Sequence, residues 1–229
     1  MTLTHAEYKT IANNIRPNGQ AFIDGKFCDA ADGTKFETTN PATGQILANV
    51  AHCKAADVDR AVAAARRVFN AGTWSRAEPE ERKEVLLKVA ALVREHTHEL
   101  AVLESLDTGK TINDCMDEIG GEVVNFFQWY AELADKSFGK IAPTGPSALA
   151  LIVKEPAGVA GAVLPWNFPL VMAAWKIAPS LAVGCSAVIK PAEQTPLSTI
   201  RLAELMQEAG VPDGVINILP GYGETAGKA

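Results

Sequence analysis

The chain has 229 residues, 48% hydrophobic and 21% charged, and its 21 basic and 27 acidic side chains leave a formal charge of -6. That balance excludes a disordered or fibrous chain, and a mildly acidic protein lacks the clustered basic charge that binds nucleic acid. No apolar run reaches the roughly 18 residues of a membrane span, Met1–Arg16 has no secretory apolar core, and the four cysteines form neither CxxC pairs nor a Cys/His cluster. The expectation is a cytoplasmic chain with reduced thiols and no zinc, binding neither nucleic acid nor membrane.

The segment Ala21–Val50 reads as short extended pieces. Asp24-Gly25 marks a tight hairpin, and Asn40-Pro41 with Thr43-Gly44 marks a second turn. Helical spacing follows: Val58, Ala61, Val62, Ala65, Val68 and Phe69 share one face. A second helix is expected to open at Pro79 and stop at Gly109, striped by Val85, Leu86, Val89, Leu92, Val93, Leu100, Leu103 and Leu106. Glu78–Glu84 reads as its solvated start, and His96 and His98 fall late in it. A third is expected from Thr111, burying Ile112, Met116, Ile119, Val123, Phe126, Phe127 and Tyr130. Gly139–Pro146 reads as a loop and Ala148–Glu155 as a strand with one wet face.

Beyond it, apolar strands at Val159–Leu164, Ser186–Lys190 and Val215–Leu219 alternate with helices at Leu170–Val183 and Leu197–Ala209, the latter with Thr195 as cap. This βαβαβ order predicts an α/β fold with a Rossmann-like open parallel sheet and flanking helices, preceded by an N-terminal β/helical segment. Such sheets bind ligands beyond the carboxyl ends of their strands, so the three turns after Leu164, Ile189 and Leu219 are the candidate site.

The first turn, Pro165–Pro169, is stiffened by its prolines and presents Asn167. A carboxamide there either donates to an oxygen that gains negative charge or caps the next helix. The second turn carries Lys190 and Glu193, which suit a ribose diol or else form a rim ion pair. The third, Gly221-Tyr222-Gly223-Glu224-Thr225-Ala226-Gly227, departs from the dinucleotide fingerprint and reads as a glycine-rich strand-to-helix turn.

Thr39–Gly44, Leu106–Lys110, Pro165–Pro169, Lys190–Pro196 and Gly210–Pro220, in this order, resemble the NAD(P)-dependent aldehyde dehydrogenase superfamily from about Gln20 to Ala229. Trp74-Ser75 and Trp129–Glu132 are closest in texture to bacterial aminoaldehyde dehydrogenases, such as gamma-glutamyl-gamma-aminobutyraldehyde dehydrogenases. The resemblance implies that the full-length enzyme oxidises an aldehyde, expected to be an aminoaldehyde, to the acid through a cysteine thiohemiacetal and a thioester. It assigns Asn167 to the oxyanion hole, Lys190 and Glu193 to the adenine ribose, and NAD in preference to NADP. Leu164, Trp166 and Gly223 would line the adenosine half, and Phe168, Met172 and Trp175 the substrate tunnel. Thr39, Asp107 and Gln194 would lie near a monovalent cation.

The resemblance further implies that residues 1–229 are the N-terminal part of an NAD-binding domain, with oligomerisation strands in 141–155 and the cofactor unit in 157–229. Homodimers or homotetramers are expected at full length. The nucleophilic cysteine and the glutamate base are expected outside this chain, leaving it inactive alone with an unpaired sheet edge. None of Cys28, Cys53, Cys115 and Cys185 has the expected setting; Cys53 and Cys115 lie near predicted helix starts, where a thiol pKa can fall, but all four read as structural. The alternative is a non-catalytic nucleotide-binding or assembly module on the same fold.

Overall fold

The computed structural model describes residues 3–229. It begins with α1 (His5–Asn14), which sequence periodicity had not marked. The signal was Thr4-x-x-Glu7: the Thr4 hydroxyl accepts from the Glu7 N–H and the Glu7 carboxylate accepts from the Thr4 N–H. The hairpin β1 (Ala21–Ile23) and β2 (Lys26–Cys28) turns through Asp24 and Gly25, both at positive φ (54° and 74°), the type favoured by right-handed strand twist. A second antiparallel pair, β3 (Lys35–Thr39) and β4 (Ile46–Ala51), is joined at the Asn40–Gly44 turn.

The helical region is α2 (Ala55–Ala71), α3 (Pro79–Glu95), α4 (Thr97–Thr108), α5 (Ile112–Asp117), a π-helical turn Glu118–Val123 and α6 (Val124–Leu133). The long helix expected over 79–109 is therefore two. The Thr97 hydroxyl donates to the carbonyls of Val93 and Arg94, taking over acceptors that would continue the ladder, and the axis breaks at His96. The helix expected from Thr111 widens into π geometry where Gly120-Gly121 interrupts it. Arg82, within the stretch read as solvated, is buried: with the Trp74 indole it donates to the last carbonyls of α7 (Pro169–Ala182), at Ala182 and Leu181. Val62 faces solvent, and Ala64 takes its place against the core.

The stretch 139–146, expected to be a loop, holds β5 (Lys140–Ala142), paired antiparallel with β6 (Ala150–Ile152). Then come β7 (Val159–Val163), α7, β8 (Ser186–Lys190), α8 (Leu197–Glu208) and β9 (Ile216–Ile218), the expected βαβαβ unit. The main sheet runs β2-β1-β9-β8-β7; β7, β8 and β9 are parallel, and β1 joins β9 antiparallel through Phe22 and Ile218. The expected unpaired edge lies at β7, because the β1–β2 hairpin covers β9.

Alternation along β8 sorts the core. Ala187 and Ile189 pack with α7, α8 and the α3–α6 bundle, while Val188 packs with Ala61, Ala51 and Leu219 on the α2 side. At β8 and β9 the sheet is thus covered on both faces, as buried parallel strands require, while Gly161 and Val163 of β7 stay exposed. No helix among the described residues is long and apolar enough to cross a membrane.

Candidate active site

The three turns do converge at the carboxyl edge of the parallel strands. Leu164 closes the end of β7, buried, with its N–H donating to the Lys190 carbonyl (2.9 Å). Lys190, only 6% exposed, donates from Nζ to Glu193 Oε2 and to the Pro191 carbonyl, each at 3.0 Å. Burial acts to raise the Glu193 carboxyl, but the Lys190 ammonium outweighs it and holds the group below its usual range. An ionised acceptor therefore stands at the rim, with its cation tucked beneath.

Glu193 separates two adjoining hollows. One, about 570 Å³, is lined by Thr39, Asp107, Trp166, Gln194, Thr195 and Tyr222 among others. The other, about 400 Å³, is lined by Glu193, Tyr222, Gly223, Glu224 and Lys228. Tyr222 rests on Phe36 and His52, with ring centroids 5.1 and 4.8 Å away, and the His52 Nε2 lies 3.2 Å from the Thr225 hydroxyl. After β9 the glycine-rich run forms successive turns rather than the expected helix start. Its tight approaches are at Gly221, where a β-carbon would lie 2.7 Å from the Cys53 carbonyl oxygen, and at Gly227, where it would lie 2.5 Å from the Gly223 carbonyl oxygen; at Gly223 it would meet no neighbour.

Asn167 is exposed and does not cap α7, whose N-cap is Phe168 with no side-chain cap bond. The capping is done from α4. Glu104 Oε2 accepts from the Leu170 N–H (3.3 Å) at the start of α7, and Asp107 Oδ2 accepts from the Leu197 N–H (3.0 Å) at the start of α8. Thr195, expected to cap α8, instead donates to the Trp166 carbonyl (3.2 Å) and ties the second turn to the first. Burial pushes both carboxyls up to about 7. Among the described residues, neither Glu104 Oε1 nor the nearby buried Ser198 hydroxyl has a hydrogen-bond partner of normal geometry, although the hydroxyl is close enough to oppose the rise at Glu104.

Thr39, Asp107 and Gln194 line one hollow, but strand alternation turns Thr38 inward and Thr39 outward. It is the Thr38 hydroxyl that donates to Asp107 Oδ1 (2.9 Å) and approaches the Gln194 carbonyl (3.4 Å). Among the described residues, no group of three or more His, Cys, Asp or Glu is placed to hold a metal ion. Phe168 is the N-cap of α7 and Met172 and Trp175 lie within it; none is among the residues lining the two hollows, Phe168 and Trp175 are partly exposed, and the Trp175 ring is 5.1 Å from Phe126.

Cys53, Cys115 and Cys185 are buried. Burial pushes the Cys53 thiol far up and Cys115 up to about 12, the reverse of the fall that their places near helix starts suggested. The helix-capping Glu104 and Asp107 were missed as such in the sequence. Their signal was two carboxylates three residues apart inside an apolar helix.

The aldehyde dehydrogenase family profile matches residues 27–229. The chain belongs to the aldehyde dehydrogenase family. This aldehyde dehydrogenase chain is 53% identical over 226 residues to the aminoacetaldehyde dehydrogenase of Pseudomonas aeruginosa, covering 99% of itself and 46% of that protein. It is 47% identical over 231 residues to the NADP/NAD-dependent aldehyde dehydrogenase PuuC of Escherichia coli, covering 100% of itself and 46% of that protein. It therefore spans less than half the length of these relatives. Among solved structures, the gamma-glutamyl-gamma-aminobutyraldehyde dehydrogenase of Burkholderia cenocepacia superposes with TM-score 0.96 at 48% identity, over 99% of this chain and 46% of that one. An indole-3-acetaldehyde dehydrogenase solved with NAD+ superposes with TM-score 0.97 at 46% identity, over 99% and 46% respectively.

Proposed function

We propose that this chain supplies the nucleotide-binding edge of an enzyme that oxidises an aminoaldehyde to its carboxylic acid with NAD. The observation that carries this reading is the buried Lys190 holding an ionised Glu193 between two hollows at the carboxyl edge, beside the turn that presents Asn167. The donor set fits a ribose diol, since a carboxylate accepts from hydroxyls and repels a 2′-phosphate. NAD, when bound, supplies the hydride acceptor.

On this reading Glu193 accepts from the ribose hydroxyls, and Lys190 keeps it charged and in place. Trp166 walls one hollow and Gly223 leaves the other open to the adenosine half. Asn167 directs its amide N–H at the oxygen that becomes negative when a thiolate adds to the aldehyde carbon. Phe168, Met172 and Trp175 present an aromatic and thioether surface to the aldehyde's side chain. Thr39, Asp107 and Gln194 are proposed to flank a monovalent cation, with the Thr38 hydroxyl in contact. The thiolate that forms the thiohemiacetal and the glutamate that activates water for thioester hydrolysis come from outside residues 1–229, so the chain alone is inactive. The aminoaldehyde preference is supported by the relatives named for aminoacetaldehyde and gamma-glutamyl-gamma-aminobutyraldehyde. We place the enzyme in the cytoplasm as a homodimer or homotetramer, with 141–155 at the subunit contact.

The test is aldehyde-dependent reduction of NAD by the full-length protein, with aminoacetaldehyde as probe. Asn167→Ala should lower kcat by about 100- to 1,000-fold, as loss of one oxyanion donor does elsewhere, and leave NAD affinity unchanged. Absence of any aldehyde-dependent reduction overturns the reading. An unchanged kcat, with chemistry shown to be rate-limiting, removes Asn167 from its role.

A further inference from the structure

The turn carrying Asn167 is held at both ends, and the second hold comes from a residue with no role so far. At one end, the Thr195 hydroxyl fixes the Trp166 carbonyl. At the other, the Lys110 ammonium sits 3.7 Å from the centroid of the Phe168 ring. Lys110 is itself clamped. Its Nζ donates to both oxygens of Glu118, each at 2.7 Å, and the two side chains are only 21% and 12% exposed. Its backbone is fixed as well: the N–H donates to the Thr108 hydroxyl (3.1 Å) and the carbonyl accepts from the Ser105 hydroxyl (2.7 Å). The preceding Gly109 ends α4 at φ 78°.

Desolvation strengthens an ammonium over an aromatic face, to about 2 kcal/mol or more against about 0.5–1 at exposed sites. Glu118 anchors the cation through both of its oxygens and opens the π turn, a geometry that recurs at functional sites. Glu104 caps α7 at Leu170 and the Phe168 carbonyl accepts from the Met172 N–H, which fixes the backbone. The Phe168 side chain is the freer part, since the residue is 40% exposed and supplies no cap of its own. Asn167 lies between the two holds, exposed and with no hydrogen-bond partner for its own amide among the described residues. Its aim is therefore set by its neighbours.

We propose that Lys110, clamped by Glu118, is a positioning residue that fixes the Phe168 ring and through it the direction of the Asn167 amide. The proposal rests on the oxyanion role given to Asn167 above. Lys110 is not among the residues lining either hollow, so its loss should act on turnover while leaving nucleotide binding alone. Displacing a catalytic group by about 1 Å can cost about 100-fold in rate.

Three variants of the full-length enzyme test it: Lys110→Met, Lys110→Arg and Glu118→Gln. Two readouts are used: steady-state kinetics with aminoacetaldehyde and NAD, and amide hydrogen exchange of the 166–170 segment. Lys110→Met should lower kcat by roughly 10- to 100-fold, leave the KM for NAD unchanged and speed exchange across 166–170. Lys110→Arg should recover most of the rate and the protection, because a guanidinium also stacks on an aromatic face. Glu118→Gln should fall between, and it carries the comparison if Lys110→Met does not fold. The proposal is overturned if Lys110→Met keeps wild-type kcat per folded molecule, if Lys110→Arg is as impaired as Lys110→Met, or if exchange at 166–170 does not change. Should the wild-type protein oxidise no aldehyde, the functional reading fails, and the exchange measurement still decides whether Lys110 holds the turn.

Discussion

At the scale of single residues, charge and burial decide which side chains matter. Glu193 is kept ionised by Lys190 where a nucleotide ribose is proposed to sit. Juxtaposed like charges cost several kcal/mol, so Glu193→Ser should raise the NADP-to-NAD ratio of kcat/KM by about tenfold or more, measured with both cofactors. Glu104 behaves oppositely. Buried with one oxygen unpartnered, its folded pKa is about 7 against 4.5 for the unfolded chain. The folded state binds its proton more tightly, so the stability it confers is full below pH 4.5 and is lost as pH rises through 7. Glu104→Gln should therefore gain in melting temperature relative to wild type between pH 5 and pH 8; parallel melting curves at the two pH values would contradict this. Lys190 and Glu193 were legible because strand ends locate themselves in sequence. Lys110 was not, since its partners Glu118 and Phe168 are 8 and 58 residues away and only the fold brings them together.

At the scale of elements, α4 is the organiser. Two of its carboxyls, one turn apart, accept from the first N–H groups of α7 and α8 and so fix where both site turns end. Gly109 closes α4 in a left-handed conformation, and a β-carbon there would lie 2.9 Å from Pro41 Cγ. Gly109→Ala should destabilise by about 1–2 kcal/mol, read as a lower urea midpoint with an unchanged slope; no shift would mean that the Pro41 turn yields freely. The βαβαβ elements and the Asp24-Gly25 hairpin were legible because apolar runs and turn dipeptides are local signals. The break at His96 was not: the apolar stripe continues through it, and the interruption comes from the Thr97 hydroxyl capturing backbone carbonyls. Periodicity reports which face is buried and says nothing of where an axis bends.

At the scale of the molecule, two surfaces stand apart. The β5–β6 hairpin and the residue after it expose Ile141, Leu151, Ile152 and Val153, and a two-stranded hairpin with exposed apolar side chains is marginal on its own in water. With 141–155 as the proposed subunit contact, Leu151→Lys should shift the protein toward monomer in sedimentation velocity; an unchanged distribution would place the contact elsewhere. The second surface is the outer flank of β7, which has β8 on one side and no strand on the other among the described residues. Gly161 and Val163 are exposed there, with neither a lysine nor a proline to deter pairing. For residues 1–229 taken alone in the test tube that flank is a template: two molecules meeting there can zip together through their backbones. Concentration and storage time should therefore govern how much of a preparation stays dispersed, whatever becomes of the ligand-binding edge.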